Sequence, residues 1–279
     1  MRAIKLYSTG DIRTVDVDVP SPAKDEILIK VEAAGICGTD RHLYHGEFPS
    51  VPEKILGHEF SGIVVDSGET DIPEGARVTC DPNTWCGACS QCQRGRVNLC
   101  INNLATGIHR DGGFAEFCVF PASKAVVLPD KINPLYGAFC EPLACTLHGM
   151  DMGAAQEGET VLVIGGGVIG LMAVQLAKLA GAKVLLMTRS PEKQALGLNV
   201  GADYAVGSES EVRDIWPEGA DLVVECAGVS ATVTLSHKLA RSGGRVVILG
   251  VISQGEQVPL EPFDMLFREF QMHFSFLNP

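Results

Sequence analysis

Short apolar runs punctuated by glycine and proline occupy the first half of the chain: Glu26-Ile27-Leu28-Ile29-Lys30-Val31, Phe60-Ser61-Gly62-Ile63-Val64-Val65, Ala76-Arg77-Val78-Thr79 and a longer stretch from Gly113 to Leu128. Runs of this length and composition predict strands, and their irregular spacing suits a barrel-like β domain better than an evenly stranded sandwich. From Glu157 the pattern changes. Val161-Leu162-Val163-Ile164 predicts a buried strand, Leu171 to Ala180 a helix stopped by Gly181, and Lys183 to Met187 the next strand. Ser190-Pro191 supplies an N-cap and a first-turn proline for a helix that Gly201 ends. Asp221 to Cys226 predicts another strand, Ser230 is expected to cap a helix running to Arg241, and Arg245 to Leu249 predicts a further strand. Strands alternating with helices predict an α/β fold, a doubly wound parallel sheet with helices on both faces. The change of texture places a domain boundary near Gly149, dividing the chain into 1–149 and 150–279.

A length of 279 residues accommodates about two domains. Twenty-two Lys and Arg against 34 Asp and Glu leave a net charge of -12, which repels phosphate backbones and anionic membranes, so neither nucleic acid nor membrane is an expected partner. The apolar stretch from Val161 to Ala177 is shorter than the roughly 20 residues of a membrane span and contains three consecutive glycines. The N-terminus carries no apolar export signal, so a cytoplasmic, reducing location is expected. In that setting ten cysteines ask for a metal rather than disulfides.

Gly165-Gly166-Gly167-Val168-Ile169-Gly170 fits G-x-G-x-x-G directly after a predicted strand. Gly165 can make the tight turn, Gly167 lets backbone N–H groups approach a pyrophosphate, and Gly170 permits close helix packing. An NAD site would present Asp or Glu at the end of the second strand. Here that strand leads into Thr188 and Arg189, followed by Ser190 and Lys193. A guanidinium cannot accept a ribose hydrogen bond but can hold a 2′-phosphate, which favours NADP over NAD. Cys226 and Leu249, ending the next two predicted strands, are expected along the same cofactor edge.

Cys86, Cys89, Cys92 and Cys100 form C-x2-C-x2-C-x7-C. Four thiolates on one loop suit a closed tetrahedral zinc site of structural type, and the short fourth spacing and following proline of an iron–sulfur motif are missing. Cys37, His58 and a carboxylate would form a mixed site with room for a further ligand.

In this order, the segments Cys37-Gly38-Thr39-Asp40-Arg41-His42, Gly57-His58-Glu59, the four-cysteine loop, Cys140-Glu141-Pro142 and the glycine motif resemble the zinc-dependent medium-chain dehydrogenases, particularly the sorbitol, threonine and polyol dehydrogenase branch. The resemblance implies a GroES-like catalytic domain followed by a Rossmann domain. It implies two zinc ions, one structural and one catalytic, the latter held by Cys37 and His58 with Glu59 or Glu141. It makes Thr39 the acceptor of the alcohol proton and His42 the relay to solvent. The implied substrate is a small secondary alcohol, a polyol or sugar derivative, oxidised by a homodimer or homotetramer, with Tyr44, Phe48 and Phe114 shaping the cleft. Members of the family continue past the point where this sequence stops, so a C-terminal segment of the catalytic domain is expected to be missing. The alternative is a truncated, non-catalytic NADPH-binding protein on the same scaffold.

Overall fold

In the computed structural model, which describes residues 1–49 and 51–278, the chain divides between Pro142 and Leu143 rather than at Gly149. The helix Cys140–Gly153 explains the displacement. Its later turns pack on the second sheet, so closely that a Cβ at Gly149 would lie 2.5 Å from Leu249.

Among the described residues, Met1–Pro142 contains three antiparallel sheets, the smallest being the pair Asn83–Thr84 and Leu104–Ala105. Arg2–Ser8 pairs with Asp11–Asp16 as a hairpin and with Lys54–Ile55 on its other side. The largest sheet runs in the order Ala125–Val127, Arg77–Cys80, Glu59–Asp66, Glu26–Gly35, Phe117–Pro121. Alternate residues face its core, as a two-residue repeat requires: Ile27 and Ile29, Val78 and Cys80, Cys118 and Phe120. The expected single run from 113 to 128 is instead two strands separated by the 3-10 turn Ala122–Lys124. Pro121 has no N–H to continue a ladder. Two register shifts between Glu26–Gly35 and Glu59–Asp66 bend the pair and bring Gly35 opposite Glu59. That register sets the end of one strand beside the start of the other, which is where the chemistry lies.

In Leu143–Asn278 six parallel strands lie in the order Tyr204–Val206, Lys183–Met187, Thr160–Ile164, Ala220–Glu225, Ala240–Ile248, Gln271–Phe274. Taken along the chain this is 3-2-1-4-5-6, the doubly wound order with its switch point between the first and fourth strands. The apolar runs are continuous because both faces are covered. Leu162, Ile164, Leu185, Val223 and Val246 enter one core, whereas Val161, Val163, Val184, Leu222, Val224 and Val247 enter the other. The helix after the glycine motif spans Val168–Leu179, beginning three residues earlier than expected. Val229, not Ser230, occupies the N-cap of Ser230–Leu239, because the Ser230 hydroxyl donates to the Gln257 carbonyl instead. Among the described residues no helix is long and apolar enough to cross a membrane.

Candidate functional site

Cys37 follows the strand Glu26–Gly35 and caps the helix Gly38–His45, with its own N–H donating to Asp40 Oδ2 at 2.8 Å. The strand register brings His58 and Glu59 alongside, and one donor atom from each of Cys37, His58 and Glu59 falls within 4.8 Å of the others. Gly35 makes room for this, since any Cβ there would run into the Glu59 carboxylate. The Thr39 hydroxyl lies 3.7 Å from the Cys37 sulfur. Asp40, a residue to which the sequence assigned no role, is buried with Oδ1 facing His58 Nδ1 at 3.7 Å. Neither atom has another partner among the described residues. A proton on Nδ1 directed at Asp40 leaves the other ring nitrogen as a lone-pair donor, the arrangement that orients a metal-binding imidazole.

Electrostatics make this pocket poor in positive charge. Burial, reinforced by the charge of Glu59, pushes the Cys37 thiol up to about 12. Burial also raises Glu59 and Asp40 above the ordinary carboxylate range, although the nearby His58 partly offsets it. A divalent cation would reverse all three effects, so the donor set and the orphaned His58–Asp40 pair fit a zinc ion. Glu141 is buried and close enough for its charge to act on Cys37, yet it lies outside the set with mutual distances under 4.8 Å. His42, one turn after Thr39, pairs through Nδ1 with Glu47 at 2.8 Å and is partly exposed. Phe48 and Phe114 are half-buried and pack against the small cluster of Leu6, Leu43, Leu56, Ala105 and Ile108.

The second cluster contains all four expected cysteines. Sulfur separations of 3.5 Å between Cys89 and Cys92, 3.6 Å between Cys100 and Cys86, and 4.0 Å between Cys89 and Cys100 match the edge of about 3.8 Å set by tetrahedral Zn–S bonds of about 2.3 Å. Backbone N–H groups point at the sulfurs, those of Cys86 and Asn102 reaching Cys100 at 3.4 Å. The N–H of Cys92 and then that of Ile101 draw the Cys89 thiol down to about 6. Cys92 moves the other way, to about 12, through burial and its neighbouring thiols. Lys124, paired with Asp81 at 2.6 Å, lies 2.9 Å from the centroid of the Trp85 ring and ties the start of the loop to the adjoining sheet. A zinc ion held by all four would keep no open coordination position.

In the second unit, Gly165 turns the chain out of Thr160–Ile164 at φ 109°, a conformation that excludes most side chains. An added Cβ at Gly167 would meet nothing within 4 Å, whereas one at Gly170 would strike the Gly165 carbonyl. The loop is therefore open where a pyrophosphate would approach and closed where the helix packs, with the unpaired N–H groups of Val168, Ile169 and Gly170 at the helix start. Gly166 abuts Thr188 and Lys193, whose side chains would lie 3.1 and 2.9 Å from a Cβ there. Arg189 is exposed and forms no ion pair among the described residues. The Ser190 hydroxyl accepts from Lys193 N at 3.3 Å and caps Pro191–Asn199. Cys226 and Leu249 reach the expected strand edge, but their half-buried side chains pack against the sheet core.

Residues 23–130 match the alcohol dehydrogenase GroES-like domain family, and residues 168–278 match the zinc-binding dehydrogenase family. A sorbitol dehydrogenase of Halalkalibacterium halodurans is 35% identical over 90% of this chain and 76% of its own length. D-arabinitol dehydrogenase 1 of Uromyces fabae is 34% identical over 99% of this chain and 82% of its own. Among solved structures, a protein of Sinorhizobium meliloti 1021 described as a zinc-binding dehydrogenase, bound to NADP, superposes with a TM-score of 0.96 at 54% identity, covering 100% of this chain and 84% of its own. Galactitol-1-phosphate dehydrogenase from Escherichia coli gives 0.92 at 29% identity, with coverages of 100% and 84%.

Proposed function

The chain belongs to the zinc-dependent medium-chain dehydrogenase family, whose members are oxidoreductases using zinc and NAD(P), and from that premise we propose that it oxidises a secondary alcohol of polyol or sugar type, with NADP preferred. The observation that carries the reading is the convergence of half-buried Cys37 with buried His58 and Glu59, with Asp40 behind the imidazole. These residues would hold the catalytic zinc, with Glu141 as a further carboxylate within electrostatic reach, while Cys86, Cys89, Cys92 and Cys100 would hold the structural one. Zinc supplies positive charge that lowers the pKa of a hydroxyl in contact with it, as it lowers that of water from 15.7 to about 7.

Bound NAD(P) would supply the hydride acceptor, so that an alcohol giving up a proton from oxygen and a hydride from carbon would leave as a carbonyl. Thr39, with its hydroxyl beside Cys37, receives the proton, and His42, held by Glu47, passes it to solvent. Gly165, Gly167, Val168, Ile169 and Gly170 cradle the pyrophosphate. Arg189, unpaired at the end of the second strand, holds the 2′-phosphate with Thr188, Ser190 and Lys193 around it. The NADP bound to the Sinorhizobium meliloti protein supports this preference. Polyol substrates are supported by the names of the sorbitol, arabinitol and galactitol-1-phosphate dehydrogenases among its relatives, and those names favour turnover over a purely cofactor-sensing role.

The test is a panel of secondary polyols and sugar alcohols assayed with both cofactors on zinc-loaded enzyme. NADP should exceed NAD in kcat/KM, and Arg189→Asp should erase the difference, a change of about tenfold to a hundredfold for the loss of one or two charge-assisted contacts. Equal use of both cofactors by the unaltered chain would overturn the phosphate assignment. Failure to oxidise any polyol would overturn the substrate class.

A further inference from the structure

We propose that Glu225 is a positioning residue for the cofactor, its buried carboxylate fixing the strand-end loops that form one wall of the dinucleotide cleft. The inference rests on the cofactor reading of that cleft given above. The strand Ala220–Glu225 is apolar and fully buried at Leu222, Val223 and Val224, yet the residue that follows them is a carboxylate with 0% exposure. A buried carboxylate is strongly disfavoured unless its oxygens are satisfied. Here the partners are not cations. Oε1 accepts from the backbone N–H of Ala227 at 2.8 Å and of Gly228 at 3.0 Å, and from the Thr232 hydroxyl at 2.7 Å. The second oxygen accepts from Gly228 at 3.3 Å, and the Glu225 backbone carbonyl accepts from the Leu249 and Gly250 N–H groups at 2.9 and 3.1 Å. The side chain and the backbone carbonyl of this one residue thereby join residues 227–228, the first turn of Ser230–Leu239, and residues 249–250.

Its place in the sheet gives this clamp a purpose. Glu225 pairs in register with Ile164, the residue before the glycine motif, and with Ile248, just before Leu249 and Gly250. It thus ends the fourth strand at the switch point, outside which ligands bind in open α/β sheets. The loops there interlock without slack. A Cβ at Gly165 would lie 3.0 Å from Ala227 N, one at Gly228 would lie 2.5 Å from the Val251 carbonyl, and one at Gly250 would lie 2.5 Å from Glu225 Oε2. Displacing residues 226–228 would therefore displace the glycine turn.

Glu225→Gln preserves shape but turns an amide NH2 toward backbone N–H donors. In zinc-loaded enzyme it should weaken NADPH binding, measured by calorimetry, on the order of tenfold. Cofactor KM should rise while alcohol KM and zinc content hold, and amide exchange at Ala227 and Gly228 should accelerate. Thr232→Val, which removes a single donor, should weaken binding by a few fold and decides the question if Glu225→Gln does not fold. Folded variants that bind NADPH within twofold of the unaltered enzyme would overturn the inference alone. An unaltered enzyme that binds neither cofactor would overturn the reading of the cleft and this inference with it.

Discussion

Cys37 and Cys89 carry the same thiol into opposite surroundings. Around Cys89, backbone N–H groups stabilise the anion and bring the thiol to about 6. Around Cys37, burial and the Glu59 charge oppose the anion and drive it to about 12. The closed loop aims backbone N–H groups at its sulfurs, yet burial and neighbouring thiols still raise Cys92 to about 12, so a cation would relieve donors in both places. What differs is the donor set: four thiols would close a tetrahedral zinc, whereas Cys37, His58 and Glu59 would leave a position and residual charge for a substrate.

Removing a donor from each centre breaks the comparison most strongly. Cys37→Ser should lower turnover by about 10³-fold, the loss of several kcal/mol of charge stabilisation, with little change in melting. Cys89→Ser should instead lower the melting midpoint, by roughly 2–4 °C per kcal/mol lost, and leave appreciable initial activity. A smaller effect is expected from Asp40→Asn, which keeps the donors but takes the carboxylate from His58. Zinc affinity measured against a competing chelator should fall by about tenfold to a hundredfold.

The smallest effect concerns stability and pH. Asp40 and Glu59 have raised pKa values, so their ionisation opposes folding and acid relieves it. Asp221 behaves oppositely. Burial alone would raise it, but the Thr160 N–H and hydroxyl, at 2.8 and 2.7 Å, and Arg241, at 2.5 Å, bring it below its ordinary value. A carboxylate lowered on folding stabilises above its unfolded pKa, and that contribution disappears as pH falls through the folded value. Asp221→Asn should therefore cost about 1–3 kcal/mol at neutral pH. The gap between variant and parent in denaturant melts should narrow below about pH 4.

What was legible in the sequence had local causes. The continuous apolar runs gave the parallel strands, the glycine spacing gave the turn after Ile164, and the cysteine spacing gave the four-thiol loop. Asp40 had only a faint local signal, its position three residues after Cys37 as the acidic member of a helix-start box. Its role depends on His58, which a bent strand pair brings to it. Glu225 carried no signal of its own within the predicted strand Asp221 to Cys226, because its side-chain partners at 227, 228 and 232 converge only after the sheet forms.

The contrast between an open and a closed metal centre is tested most directly by counting zinc in the purified chain and in its two cysteine variants, with turnover measured on the same samples. The account predicts two zinc ions in the unaltered chain and one in each of Cys37→Ser and Cys89→Ser, with turnover abolished only in the first. Fewer than two zinc ions in the unaltered chain, or a Cys37→Ser protein that keeps both zinc and turnover, would contradict it.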